Sequence, residues 1–116
     1  MTKPQATHVV HIDDDRFKVT EWRFAPGAET GWHVHGHDYV IVPLTDGTLG
    51  LDVHEGAPFT AALTQGVPYS RREGVHHNVT NAGSAPLAGV EAALRVCGVP
   101  CGSGALDAAI ACLAQA

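Results

Sequence analysis

Basic residues are scarce in this chain. Seven Lys and Arg stand against twelve Asp and Glu, giving a formal net charge of −5, and Arg71-Arg72 is the one adjacent basic pair. A protein that grips a phosphate backbone needs a cluster of cations to displace condensed counterions. No such stripe exists here, so no nucleic-acid partner is expected. Long apolar runs are lacking too. Nowhere do about 18 apolar residues follow one another, so no membrane-spanning helix and no membrane partner are expected. The segment from Met1 to His8 carries no apolar run behind its lone lysine, and no secretory leader is visible. Cysteine is sparse: Cys97, Cys101 and Cys112 are odd in number and confined to the tail. They read as reduced thiols of a cytoplasmic protein rather than a disulfide framework. Cys97-x3-Cys101 is half of a zinc site without its second pair, and inert cysteines are the better reading.

What is present is a β-rich pattern on a chain long enough for one domain. With 116 residues, the protein can bury somewhat under ~70% of its unfolded surface around a single core. Thirteen Gly and seven Pro are scattered rather than clustered, as short strands joined by tight turns require. β-branched and aromatic runs predict strands over residues 7–12, 16–25, 31–35, 39–45, 48–54, 59–64, 67–71, 76–80 and 87–96. Turn clusters separate them, and Asp46-Gly47 between two apolar runs is a strong hairpin signal. This spacing predicts an all-β sandwich or barrel over residues 1–96. Phe17 and Val19 share one strand face while Trp22 and Phe24 fall on the other. Either that strand is bulged near Thr20-Glu21, or both its faces are covered. Residues 97–116 form a tail of another kind. Ser103 is placed to cap a short helix over 105–114, whose apolar face of Leu106, Ala109, Ile110 and Leu113 would pack on the barrel, the favoured reading, or make a dimer contact.

Histidine is abundant and unevenly placed. Six of the eight fall in Trp32-His33-Val34-His35-Gly36-His37, Asp52-Val53-His54 and Val75-His76-His77-Asn78. Residues two apart on a strand share a face and lie ~6.5–7 Å apart, so the His33 and His35 rings can tilt towards one point. A third imidazole from a neighbouring strand would complete a facial set around a metal and leave other positions open, as in catalytic sites. A lone His-x-His is more often merely polar strand surface. A second histidine-bearing strand and the spacing of the glycines favour ligation here.

Those spacings resemble the two signature motifs of the cupin superfamily. In the first, Gly27 is followed after five residues by His33-Val34-His35 and, three residues later, by Tyr39 where Glu is usual; Gly47 comes one residue late. In the second, Gly66, Arg72-Glu73-Gly74, His77 and Asn81 keep the family's spacing, with Arg72 in place of Pro. The motifs span residues 27–81. The resemblance implies a conical jelly roll, the double-stranded β-helix, holding a divalent metal through His33, His35 and His77. Tyr39 removes the usual acidic ligand, and a three-histidine set without a carboxylate is similar to the thiol-dioxygenase branch, which uses Fe2+. Thr30-Gly-Trp-His, the run from Asp38 to Gly47, and His77-Asn78-Val79 look most like small cupins associated with β-alanine degradation. The tail after Leu94 is unlike that group.

Around the metal, His37 keeps the parity of His33 and His35 and is a further ligand candidate unless Gly36 turns it away. Tyr39 is expected beside the ligands rather than on the metal, touching a bound water or filling the barrel mouth. Strand alternation sends His76 to the opposite face and Asp38 outward. His54 reads as surface or satisfied core, and Trp22, Trp32 and Phe24 as core. Arg23, Arg71, Arg72 and Arg95 are candidates to grip a substrate carboxylate, with no spacing to choose among them. The expected function is a metal-dependent, dioxygenase-like enzyme acting on a small carboxylate-bearing metabolite. Fe2+ is the first-choice metal, with Zn2+, Ni2+ or Mn2+ open because imidazole suits them all. With one of the latter the reaction would be hydrolysis or isomerisation. A non-catalytic small-molecule-binding module is the alternative, favoured by Tyr39 and the lack of an evident inward acid. A homodimer is expected from the superfamily's habit.

Overall fold

A computed structural model describes residues 3–95. The expected tail helix and the three cysteines lie outside the described residues. Among the described residues nine strands are formed: β1 (Thr7–Asp13), β2 (Phe17–Phe24), β3 (His33–Val34), β4 (Asp38–Pro43), β5 (Gly47–Val53), β6 (Phe59–Leu63), β7 (Tyr69–Arg71), β8 (His76–Asn81) and β9 (Leu87–Leu94). They make two antiparallel sheets, one in the order β1-β2-β9-β4-β7 and the other in the order β3-β8-β5-β6. Sequence neighbours repeatedly fall in opposite sheets, and the result is an all-β jelly roll. Among the described residues no helix is long and apolar enough to cross a membrane.

Strand alternation decides what faces the interior. From the larger sheet, Trp22 and Phe24 of β2, Tyr39 and Ile41 of β4, and Gly89 and Glu91 of β9 line the inner space. Leu49 and Leu51 of β5 and Val79 of β8 close it from the other side. The compact core is small: Phe24, Ala28, Leu49, Val79 and Leu87. Of the two alternatives for β2, a bulge in the strand is not what is found. Its pairing with β9 runs unbroken from Phe17↔Leu94 to Phe24↔Leu87. Phe17 and Val19 lie half-buried on the outer face, where Val19 is in register with Ala92 and, through β9, with Val40. The irregularity sits in β1 instead, where the register shifts between Val10 and Ile12.

The motif glycines have a backbone reason. Gly27 (φ 78°), Gly66 (φ 76°) and Gly74 (φ 90°) are in the left-handed region, which a Cβ penalises. The motif's last residue, Asn81, is 2% exposed and works as a structural clamp. Its Nδ2 donates to the carbonyls of Phe24 (3.2 Å) and Ala85 (2.8 Å), and its Oδ1 accepts from the Gly83 N–H (2.9 Å). Three segments are thereby pinned at the end of β8.

Candidate metal centre

β3 is only two residues long, yet its pairing brings the site together. His33 is in register with His77 of β8, which puts their side chains side by side. His35 follows directly, held by its N–H to the Val75 carbonyl (3.0 Å) and by the Gly74 N–H to its own carbonyl (2.7 Å). The preceding loop is clamped to the same strand. Asn78, a buried residue, accepts from the Gly31 N–H (3.0 Å), and the Val79 N–H donates to Thr30 Oγ1 (3.2 Å).

The three rings meet through their Nε2 atoms. Separations are 3.0 Å for His33–His35, 3.1 Å for His35–His77 and 3.1 Å for His77–His33. His33 Nδ1 lies 2.9 Å from the Gly31 carbonyl. A carbonyl only accepts, so Nδ1 carries the hydrogen and Nε2 turns a lone pair to the centre. Burial pulls His35 and His77 down to about 4, and the neighbouring imidazoles add to the effect. At neutral pH both are therefore uncharged, the form a metal needs.

This donor set fits a divalent transition ion. Nitrogens each ~2.1 Å from one ion would be roughly 3.0 Å apart on an octahedral face and roughly 3.4 Å apart on a tetrahedron. The observed triangle matches the octahedral face. Among the described residues this is the group of His, Cys, Asp and Glu that could hold an ion, and it contains no carboxylate. His37 is exposed and stands outside it.

The surrounding side chains are placed as follows. Tyr39 is buried and stacks on the His35 ring, with centroids 4.0 Å apart and planes 19° from parallel. Burial, reinforced by the charge of Glu91, pushes its phenol up to about 12, so it is neutral at physiological pH. Glu91, which the sequence reading passed over, is the inward acid that had seemed to be lacking. Its carboxylate lies 3.9 Å from His35 Nδ1, and burial pushes its pKa up against the opposing pull of His33 and Lys18. The signal was its parity with Leu87 along β9. Arg71 reaches the cavity wall with its guanidinium 4.7 Å from the centre of the Tyr69 ring. Arg23 pairs with Glu21 (2.6 Å) and Arg95 with Asp13 (2.9 Å) instead. Asp38 accepts from the Glu73 N–H (2.8 Å). His54 and His76 stack on each other outside the three-histidine group, with Trp32 edge-on to His76. Trp32 is 54% exposed, contrary to its expected place in the core, because it shares the solvent side of β3 with Val34.

No protein-family model matches the chain. Over 93 residues it is 54% identical to the β-alanine degradation protein BauB of Pseudomonas aeruginosa, covering 80% of this chain and 97% of that one. The crystal structure of a cupin domain from Bordetella pertussis Tohama I superposes with a TM-score of 0.79 at 52% identity, covering 82% of this chain and 98% of that one. The chain is a small cupin of the BauB family. The cupin fold also recurs at low identity: an RmlC-like cupin from Methanocaldococcus jannaschii with a double-stranded β-helix matches at TM-score 0.63 and 14% identity, covering 77% of this chain and 81% of that one. For this cupin, as for the fold, the architecture was expected from the motif spacing, and the three motif histidines are the ones found together.

Proposed function

We propose that this cupin is a metal-dependent enzyme whose ion is held by His33, His35 and His77, and that it acts on a small carboxylate-bearing metabolite. The observation that carries the reading is the triangle of three Nε2 atoms, 3.0–3.1 Å apart, open on one side to an internal cavity. A closed structural site would bring a fourth ligand, and none joins the group among the described residues. The octahedral spacing suits Fe2+ first, with Ni2+ or Mn2+ next and Zn2+ after them. A bound Fe2+ would supply dioxygen chemistry, and any of these ions would supply Lewis acidity. His33, His35 and His77 position the ion, Tyr39 packs against His35, and Arg71 offers a cation to a substrate carboxylate. The name of the Pseudomonas relative supports a place in the breakdown of a small amino or carboxylic acid. The same reading places the protein in the cytoplasm as a homodimer, for which the exposed Val9, Val10 and Ile12 of edge strand β1 offer an interface.

A second reading has one specific observation behind it. Tyr39 replaces the acidic ligand with a neutral phenol, as suits a binding module without chemistry. Elemental analysis of the purified protein beside a His35→Ala control tests the metal centre. Near one metal per chain is expected, with most of it lost in the control. Oxygen uptake by the iron-loaded protein with a panel of small acids tests catalysis. No uptake and no turnover would leave the binding module as the function.

A further inference from the structure

Among the described residues, the interior of this barrel is under-filled. A cavity of about 530 Å³ runs from the three imidazoles to Leu63 and Leu87, walled by apolar side chains. Ile41, Leu51 and Leu63 line it yet are only half-buried, since nothing among the described residues covers their inner surfaces. Protein interiors are normally packed to crystal density, and apolar surface left facing water weakens the fold. An apolar-walled space of this size is the shape of a ligand site.

Gly89 leaves part of this space free of side chain. It lies on β9 between Leu87 and Glu91 and lines the cavity with them. Its φ is not in the left-handed region. A Cβ there would meet nothing nearer than the Val42 carbonyl oxygen at 3.6 Å and Ile41 Cγ2 at 3.9 Å, ordinary contacts. Gly47 differs, because a Cβ at that position would run into the Leu87 side chain. Neither backbone nor packing therefore demands glycine at 89, although glycine inside a strand weakens the sheet and commonly marks the close approach of a ligand. The polar groups gather at the other end, where Arg71 pairs with no carboxylate among the described residues.

We propose that the cavity takes an amphipathic monocarboxylate, its head at the three-histidine end and its aliphatic or aromatic body among the barrel leucines, with Gly89 setting how bulky that body can be. This deepens the proposed function and rests on the three-histidine end holding the ion. A short polar acid such as β-alanine would leave most of the apolar wall bare.

The test is calorimetric titration of metal-loaded protein with 4-phenylbutyrate and with acetate, metal content being measured on the same samples. The wild type should bind 4-phenylbutyrate at least about tenfold more tightly than acetate, as burial of the extra apolar surface requires. Gly89→Leu should erase that preference while leaving acetate affinity and metal content unchanged. Should Gly89→Leu fail to fold, Gly89→Ala carries the same readout with a smaller loss. Equal affinities in the wild type, or a preference untouched by the Gly89 variants, would overturn the proposal. A Gly89-dependent preference in protein that retains no metal would uphold the cavity while overturning the metal centre.

Discussion

The carboxylate of Glu91 stands 3.9 Å from Nδ1 of His35, on the side of the ring away from the Nε2 that meets His33 and His77. A carboxylate there favours hydrogen on Nδ1 and leaves Nε2 as the donor, as the Gly31 carbonyl does for His33. At 3.9 Å the contact is longer than a hydrogen bond and acts through charge. Glu91→Gln keeps the shape and removes the charge, so it should weaken metal binding by about tenfold or less, the low end of the loss when a hydrogen-bonded partner is removed. Competition against a chelator measures it. Wild-type affinity in Glu91→Gln would show that His35 needs no such partner.

Tyr39 acts on the same ring by stacking. With its phenol titrating at about 12, it brings no negative charge to the site at neutral pH. Tyr39→Phe preserves the stacked ring and should retain wild-type metal content. Tyr39→Ala opens the wall behind His35 and should lower metal affinity. Metal loss in Tyr39→Phe would instead assign the hydroxyl a direct part in binding.

Most of the fold was legible because strands announce themselves by period and turns by glycine. All nine strands appear near their expected positions, with the third cut to His33–Val34. The site was legible for a stricter reason: Gly27, Gly66 and Gly74 keep the motif spacing around the histidines, and each sits in left-handed backbone that favours glycine. Glu91 escaped notice because β9 reads Leu-Ala-Gly-Val-Glu-Ala-Ala-Leu, a strand apolar on both faces, so its lone acid looked like surface. Only the partner strands reveal the inner face. Trp32 misled in the opposite direction, since size suggests burial but parity with Val34 turns it to solvent. The cavity could not be read at all, because it is bounded by side chains from both sheets that only the fold brings together.

The metal-free protein should lose stability as pH falls. His35 and His77 titrate at about 4 in the fold, against an ordinary value near 6.5 in the unfolded chain. As pH drops below about 6.5 the unfolded chain takes up protons that the folded one refuses, and the equilibrium shifts towards unfolding. The loss should grow down to about pH 4 and level off for these two groups once the folded form also protonates. Thermal melts of metal-free protein between pH 7.5 and pH 4, compared with a His35→Ala, His77→Ala double variant, isolate the effect. The double variant should show a shallower decline. An equal slope would place the acid sensitivity elsewhere.

Asn81 concentrates more structural consequence in one side chain than any metal ligand does. It is 2% exposed and satisfies two carbonyls and one N–H drawn from the end of β2 and the loop after β8. Asn81→Ala would leave the buried carbonyl of Phe24 without its side-chain partner, while the Ala85 carbonyl and the Gly83 N–H, on exposed residues, can turn to water. A buried polar group so stranded costs about 1–3 kcal/mol. A net loss of about 1–3 kcal/mol in urea unfolding is therefore expected. His77 lies four residues before Asn81, near the other end of β8, held by its pairing with His33. Metal affinity under conditions where the variant is folded should accordingly stay near wild type. A variant that keeps full stability would show the clamp to be redundant, and one that folds normally yet releases its metal would show that β8 transmits strain from this end to the site.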